Sequence, residues 1–191
     1  MGVHMYANDN FARLPSGRPD SNDRRDEHIP MVSAATCGRL IQYTGNARLL
    51  RCPNLPKPLD AKRGLFNQKD GCVLGYNYLG GHAGTPWVTT DNCSKWISPQ
   101  SVNDDTALPL ITDINDWSPA YGRAFAAHSN HGPVIEEEDS ITRAGGVSPS
   151  DIGAVGGNIG LLDGSVSWKN IRQMQTYAGS RLCNNGCFAA W

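Results

Sequence analysis

The sequence predicts an α+β fold built around a small antiparallel sheet, and three features carry that prediction. The pair Asp163-Gly164 stands between two alternating segments, 158–162 and 165–169, which is the strongest short-range hairpin signal a sequence offers. Gly (21) and Pro (12) together make 33 of the 191 residues. That share exceeds the usual ~12% and predicts many turns and long surface loops, so a coiled coil or an all-helical bundle is excluded. One helix-like stretch, residues 31–45, begins after Pro30 and stops at Gly45.

The remaining elements follow in chain order. Met1-Gly2-Val3-His4-Met5 reads as an expression remnant and is set aside, leaving residues 6–191 as one domain. Residues 6–30 are polar, with Pro15, Pro19 and Pro30 preventing long helices. The stretch 47–53 reads as a short strand closed by Pro53, 72–79 as an aromatic extended segment, and 80–105 as a loop holding Trp87 and Trp96. Residues 108–112 read as a buried strand, and 171–177 as a short helix or tail. A two-residue turn at Asp163-Gly164 pairs Leu162 with Ser165, Leu161 with Val166, Gly160 with Ser167 and Ile159 with Trp168. That register puts Ile159, Leu161, Val166 and Trp168 on one buried face.

Charge is balanced at −1, so no net field recruits nucleic acid or anionic lipid. The balance hides an asymmetry: residues 1–70 carry 11 basic and 7 acidic side chains, residues 71–191 carry 6 and 11. No apolar run reaches the ~18–20 residues of a membrane helix. Six cysteines, Cys37, Cys52, Cys72, Cys93, Cys183 and Cys187, in a Gly/Pro-rich domain point to disulfides and an oxidising compartment, with Cys183–Cys187 the expected local pair and Cys52–Cys72 a second. Zinc is the rival use, but only the C-x3-C of Cys183 and Cys187 approaches a knuckle, and it has no second one.

Several landmarks then resemble one family. Tyr6-Ala7-Asn8-Asp9-Asn10 with Leu14-Pro15 resembles the YANDNxGxLP segment of prepilin-like proteins of planctomycetes, verrucomicrobia and lentisphaerae. Arg51-Cys52-Pro53 resembles their xCPxD strand end, and Tyr76-Asn77-Tyr78 their YGYNY strand. Gly156-Gly157-Asn158-Ile159, Leu162-Asp163-Gly164-Ser165-Val166 and Trp168 resemble their C-terminal GGxNVLFADGxVxW hairpin. These landmarks keep the family order over residues 6–168. The family's H-x9-DG signature would put a histidine at position 153, where this chain has Gly153.

The resemblance implies a relative of type II secretion pseudopilins and type IV pilins. It implies a pilin-like head with a short N-terminal helix and a small antiparallel sheet, loop-rich and disulfide-braced. It further implies a periplasmic or extracellular place, membrane contact only through a hydrophobic N-terminal helix absent from this chain, and other pilin-like subunits as partners of that helix.

Two clusters carry chemistry. Asp113 and Asp116 at the end of the 108–112 strand, with His128 and His131, form a candidate divalent-cation site. Carboxylates suit calcium and imidazoles suit a transition metal; the resemblance to major pseudopilins adds weight to calcium. Asp113, Asp116, Glu136, Glu137 and Glu138 supply carboxylates from which a secreted glycan-directed or metal-assisted hydrolase would draw an acid and a base. Against this, Asp and Asn cap turns, and a charge run such as 136–139 usually faces solvent. Trp87, Trp96 and Trp117 would stack sugars in a carbohydrate-binding surface module, or cover the edge of a small core.

Overall fold

The computed structural model describes residues 2–21, 27–55, 66–67, 71–87, 93–119, 122–136, 149–181 and 187–191. Its elements are α1 (Gly2–Asp9), β1 (Met31–Val32), α2 (Ala34–Thr44), β2 (Phe66–Asn67), β3 (Gly71–Val73), β4 (Tyr76–Tyr78), β5 (Pro109–Asp113), β6 (Asn115–Ser118), β7 (Arg123–Ala126), β8 (Val134–Glu136), β9 (Gly156–Leu161), β10 (Val166–Asn170), β11 (Thr176–Ala178) and β12 (Phe188–Ala190). Among the described residues the strands make three antiparallel sheets, ordered β1-β3-β2, β10-β9-β5-β4 and β11-β12-β6-β7-β8. The α+β class therefore holds, with the strands spread over three sheets where one was expected.

Helix α2 forms inside the expected 31–45 stretch but starts later, at Ala34, because Met31–Val32 pair with β3 as strand β1. The Ser33 hydroxyl accepts from the Thr36 amide at 3.0 Å, the Asp20 carboxylate accepts from the Ala34 amide at 2.8 Å, and Gly45 closes the helix with a φ of 73°. Its inner residues Thr36, Cys37 and Leu40 are buried. Residues 2–5, set aside above, form the first half of α1: Val3 packs against the core, and His4 Nε2–H donates to the Leu162 carbonyl at 2.7 Å. The 47–53 strand is corrected to a 3-10 turn, Ala47–Leu50, because the Asn46 side chain caps the Arg48 amide and bends the chain. Residues 171–173 are a 3-10 turn, and the expected tail becomes strand β11.

The hairpin exists, but its register differs by one residue. Gly160 faces Val166, Ile159 faces Ser167 and Asn158 faces Trp168. The turn holds three residues, Leu162 to Gly164: the Gly164 amide returns to the Leu161 carbonyl at 3.0 Å, and the Leu161 amide bonds the Ser165 carbonyl at 2.9 Å. Gly164 supplies the positive φ, 88°, that this three-residue geometry needs. The cause is Leu162, which is 1% exposed and anchored through its amide to the Leu108 carbonyl. A buried anchor there cannot also be a paired strand residue. Because side chains alternate along a strand, the one-residue shift turns Val166 and Trp168 from the expected buried face to the outside.

The disulfide also differs from expectation. Cys37 of α2 bridges Cys72 of β3, with Cα atoms 6.2 Å apart, and Cys52 remains a buried thiol. The expected Cys52–Cys72 pair is thereby replaced, because α2 packs its inner face directly on β3. Cys183, and with it the Cys183–Cys187 pairing, lies outside the described residues.

Three consequences of the packing matter for function. Both helices contribute to one apolar cluster with Leu14, Tyr78, Leu110 and Leu162, beside the four-stranded sheet. Trp117, Ala124, Ala126 and Val134 of the five-stranded sheet gather a second cluster. Between β5 and β6 only Ile114 intervenes, so the chain leaves one sheet and enters the other at Asp113 and Asn115.

Candidate functional site

The register of the four-stranded sheet lines up Tyr76 of β4, Asp113 of β5, Asn158 of β9 and Trp168 of β10 in one row across the strands. Beside it, Ile111, Gly160 and Val166 form a second row. Over these rows lies a groove of about 300 Å³, walled on one side by Cys52, Pro53 and Asn54 and on another by His128. Its floor dips at Gly160, where a Cβ would stand 2.7 Å from Ile111 Cγ2.

Asp113 and His128, placed together from the sequence, do meet here. The Nε2–H of His128 donates to Asp113 Oδ2 at 3.0 Å, and its Nδ1 accepts from the Asn54 amide nitrogen at 3.1 Å. Those two bonds fill both ring nitrogens of a neutral imidazole. Asp113 Oδ2 further accepts from the backbone and side-chain N–H groups of Asn158, at 2.8 and 2.9 Å. One carboxylate oxygen thus carries three donors, while Oδ1 makes no hydrogen bond among the described residues. Trp168 meets the His128 ring edge-on, with centroids 5.1 Å apart, and sits over Gly156, which has no side chain to displace the indole. Burial pushes the Cys52 thiol up, and the Tyr76 hydroxyl likewise.

The other expected site residues lie elsewhere. Asp116 accepts from the Asn77 amide at 2.8 Å, and Asn77 alternates with Tyr76 along β4, so Asp116 belongs to the opposite side of the sheet from Asp113. Burial pushes its carboxyl up to about 7, against the lowering effect of the Asn77 bond. The His131 side chain is exposed on the turn after Ser129. Among the described residues no group of three or more His, Cys, Asp and Glu side chains converges as a metal site. The side chain of Glu136, and Glu137 and Glu138 entirely, lie outside the described residues.

Of the two readings open to Trp87, Trp96 and Trp117, sugar platforms or cover for a small core, the second holds: they are only 3%, 6% and 2% exposed. Trp87 and Trp96 pack edge-on against each other and against His82, and Trp96 against Trp191. The solvent-facing indole is Trp168, 51% exposed. Sequence reasoning missed Trp168, Asn158 and Tyr76 as neighbours of Asp113; a three-residue hairpin loop would have placed the first two together. It also missed a buried network. Glu27 Oε1 accepts from His82 Nδ1–H at 2.8 Å, and Oε2 accepts from Arg181 at 3.0 Å.

No helix among the described residues is long and apolar enough to cross a membrane. No protein-family model, curated protein or solved structure matches the chain.

Proposed function

We propose that this chain is the head of a pseudopilin-like filament subunit of a secretion or type IV pilus-like system, working outside the cytosol and joined to its neighbours through a hydrophobic helix ahead of Gly2. The observation that carries the proposal is convergence. The landmarks that resemble the prepilin-like family are scattered over some 160 positions, yet they meet in one half of the fold. Ala7, Leu14, Tyr78 and Leu162 share one apolar cluster. Cys52, Pro53, Tyr76, Asn158 and Val166 line one groove. A set of residues retained for a common architecture has reason to be contiguous; unrelated short matches have none.

The chemistry of the head suits that role. Helix α1 packs on α2 and buries Ala7, giving a membrane helix a rigid continuation into the globule. The Cys37–Cys72 bridge ties α2 to the sheet and suits an oxidising compartment. Assembly would be driven by the hydrophobic helix, and the head would supply surface specificity. The test is cellular. Antibodies raised against this head should label surface filaments or envelope-bound assemblies of the source cell, and in-cell cross-linking should trap the full protein in ladders with itself or with other pilin-like subunits. A uniformly cytosolic, monomeric protein with Cys37 and Cys72 reduced would overturn the proposal.

A further inference from the structure

We propose that the groove over β4, β5, β9 and β10 binds a neutral pyranose sugar, with Trp168 as its stacking platform and Asp113 Oδ1 as acceptor for a ring hydroxyl. The argument starts from the unused polar atoms. Asp113 is only 6% exposed, and Oδ2 is saturated by His128 and Asn158, yet Oδ1 makes no hydrogen bond and is not among the sealed, unpartnered buried atoms. Its way out is the groove that Asp113 lines. A nearly buried carboxylate oxygen turned to a cavity has a strong unmet demand for a donor.

The neighbouring groups repeat that demand. Asn158 spends one amide N–H on Asp113 and Asn54 spends one on His128, which leaves each side chain its carbonyl oxygen and a second N–H. His128 has no N–H left to offer. The one charge in the lining is the Asp113 carboxylate, which repels a phosphate or carboxylate ligand, while the two amides can both accept from and donate to hydroxyl groups. The complement is a molecule rich in hydroxyl donors.

The apolar wall narrows the class further. Val166 (67% exposed) and Ile111 (38%) line the groove with carbon, and Trp168 (51%) stands just beyond that lining, against His128 and paired across the strands with Asn158. The edge-on contact with His128 fixes the indole and occupies at most one of its faces. One flat apolar face next to hydroxyl acceptors matches a sugar ring, which has an apolar C–H face and a polar rim. A bare cation would use the oxygens and leave the neighbouring exposed indole without purpose. At about 300 Å³ the groove lies at the small end of ligand sites, suited to roughly one or two sugar rings. Among the described residues Asp113 is the only carboxylate lining it, and Asp116 faces the other side of the sheet, so we read the arrangement as one for capture. This inference does not depend on the filament proposal and extends it to what the head would touch.

The test is a titration of the folded chain with the methyl glycosides of glucose, galactose, mannose, xylose and N-acetylglucosamine and with their β-1,4-linked disaccharides. Amide and indole NMR shifts and tryptophan fluorescence report binding. At least one sugar should give saturable shifts centred on Asn54, Asp113, Asn158 and the Trp168 indole, with a Kd of about 0.1–10 mM. Trp168→Ala should weaken binding at least about ten-fold while leaving the rest of the spectrum in place, because the side chain is on an exposed edge strand. Asp113→Asn should weaken it by about ten-fold, and Trp168→Phe by less than Trp168→Ala. Absence of shifts with every sugar at about 50 mM, sugar binding that Trp168→Ala leaves intact, or shifts at Asp113 produced by calcium or an alkylammonium salt and not by sugars would each overturn the proposal.

Discussion

Glu27 and His82 meet at 2.8 Å with side chains 1% and 0% exposed, whereas Asp113 and His128 meet at 3.0 Å with side chains 7% and 25% exposed. Around the first pair every charge-bearing atom is engaged. His82 Nδ1 lies 2.8 Å from Glu27 and Nε2 lies 2.9 Å from the Tyr78 carbonyl, so both ring nitrogens face acceptors. Arg181 takes the other Glu27 oxygen, and Trp87 and Trp96 close over the ring. Around the second pair the ring is satisfied as neutral imidazole and one carboxylate oxygen is left over. The same two functional groups therefore do different work according to what completes them. A filled network pins three distant stretches of chain together, and an incomplete one offers an atom to a visitor.

The largest way to break this contrast is Glu27→Gln. It removes the buried anion that Arg181 and His82 share and should cost about 3–5 kcal/mol in urea unfolding. A loss below about 1 kcal/mol would show that the buried network is not a structural tie. The pH dependence carries a definite sign. Burial alone raises the Glu27 carboxyl, but His82 and Arg181 outweigh it and hold the group below its ordinary value of 4.5. Its stabilising contribution is present above the unfolded pKa and is lost as pH falls through the lower folded value. Glu27→Gln should therefore flatten the acid limb of the stability profile below pH ~4.5.

Asp116 sharpens the comparison as a third carboxylate, half-buried, with few donors and no place in that groove's lining. Its folded pKa of about 7 stands above the ordinary 3.8, so the folded protein holds a proton there that the unfolded chain has released. Stability should fall as pH rises from about 4 to about 7 and stay at the lower level above that. Asp116→Asn should raise stability at pH 8 by roughly 2 kcal/mol, with little change at pH 4, measured by urea titration at the two values. An equal effect at both would place the cause in packing, not in the proton.

The sequence carried some of this and not the rest, for physical reasons that differ by element. Helix α2 was legible because capping is local: Ser33 and Gly45 need only their own neighbours. The D-G turn was legible as a hairpin for the same reason. Its register was not, since it depends on Leu162 being drawn to the Leu108 carbonyl, some 54 residues away in sequence. From that one-residue difference follows the position of Trp168, an exposed indole against His128 at the groove's margin. Asp113 and His128 were picked out as groups that attract one another. Asp116 was grouped with them by proximity in sequence, and the alternation of side chains across the sheet separates it. The Glu27–His82–Arg181 network joins residues up to 154 positions apart and left no local signature.

Asp113→Asn should cost about 1 kcal/mol, because Oδ2 can remain an amide carbonyl accepting from Asn158 and His128. That is well short of the Glu27 substitution, though both remove a carboxylate from a histidine. The smallest expected effect discriminates best. Trp168→Ala should change stability by less than about 0.5 kcal/mol, because an indole half in water on an edge strand holds little of the fold together. A large aromatic side chain contributing so little to folding would be carried for another purpose. A loss of about 2 kcal/mol or more in the same urea experiment would instead make Trp168 a lid on the sheet, and the open pair would then be as structural as the closed one.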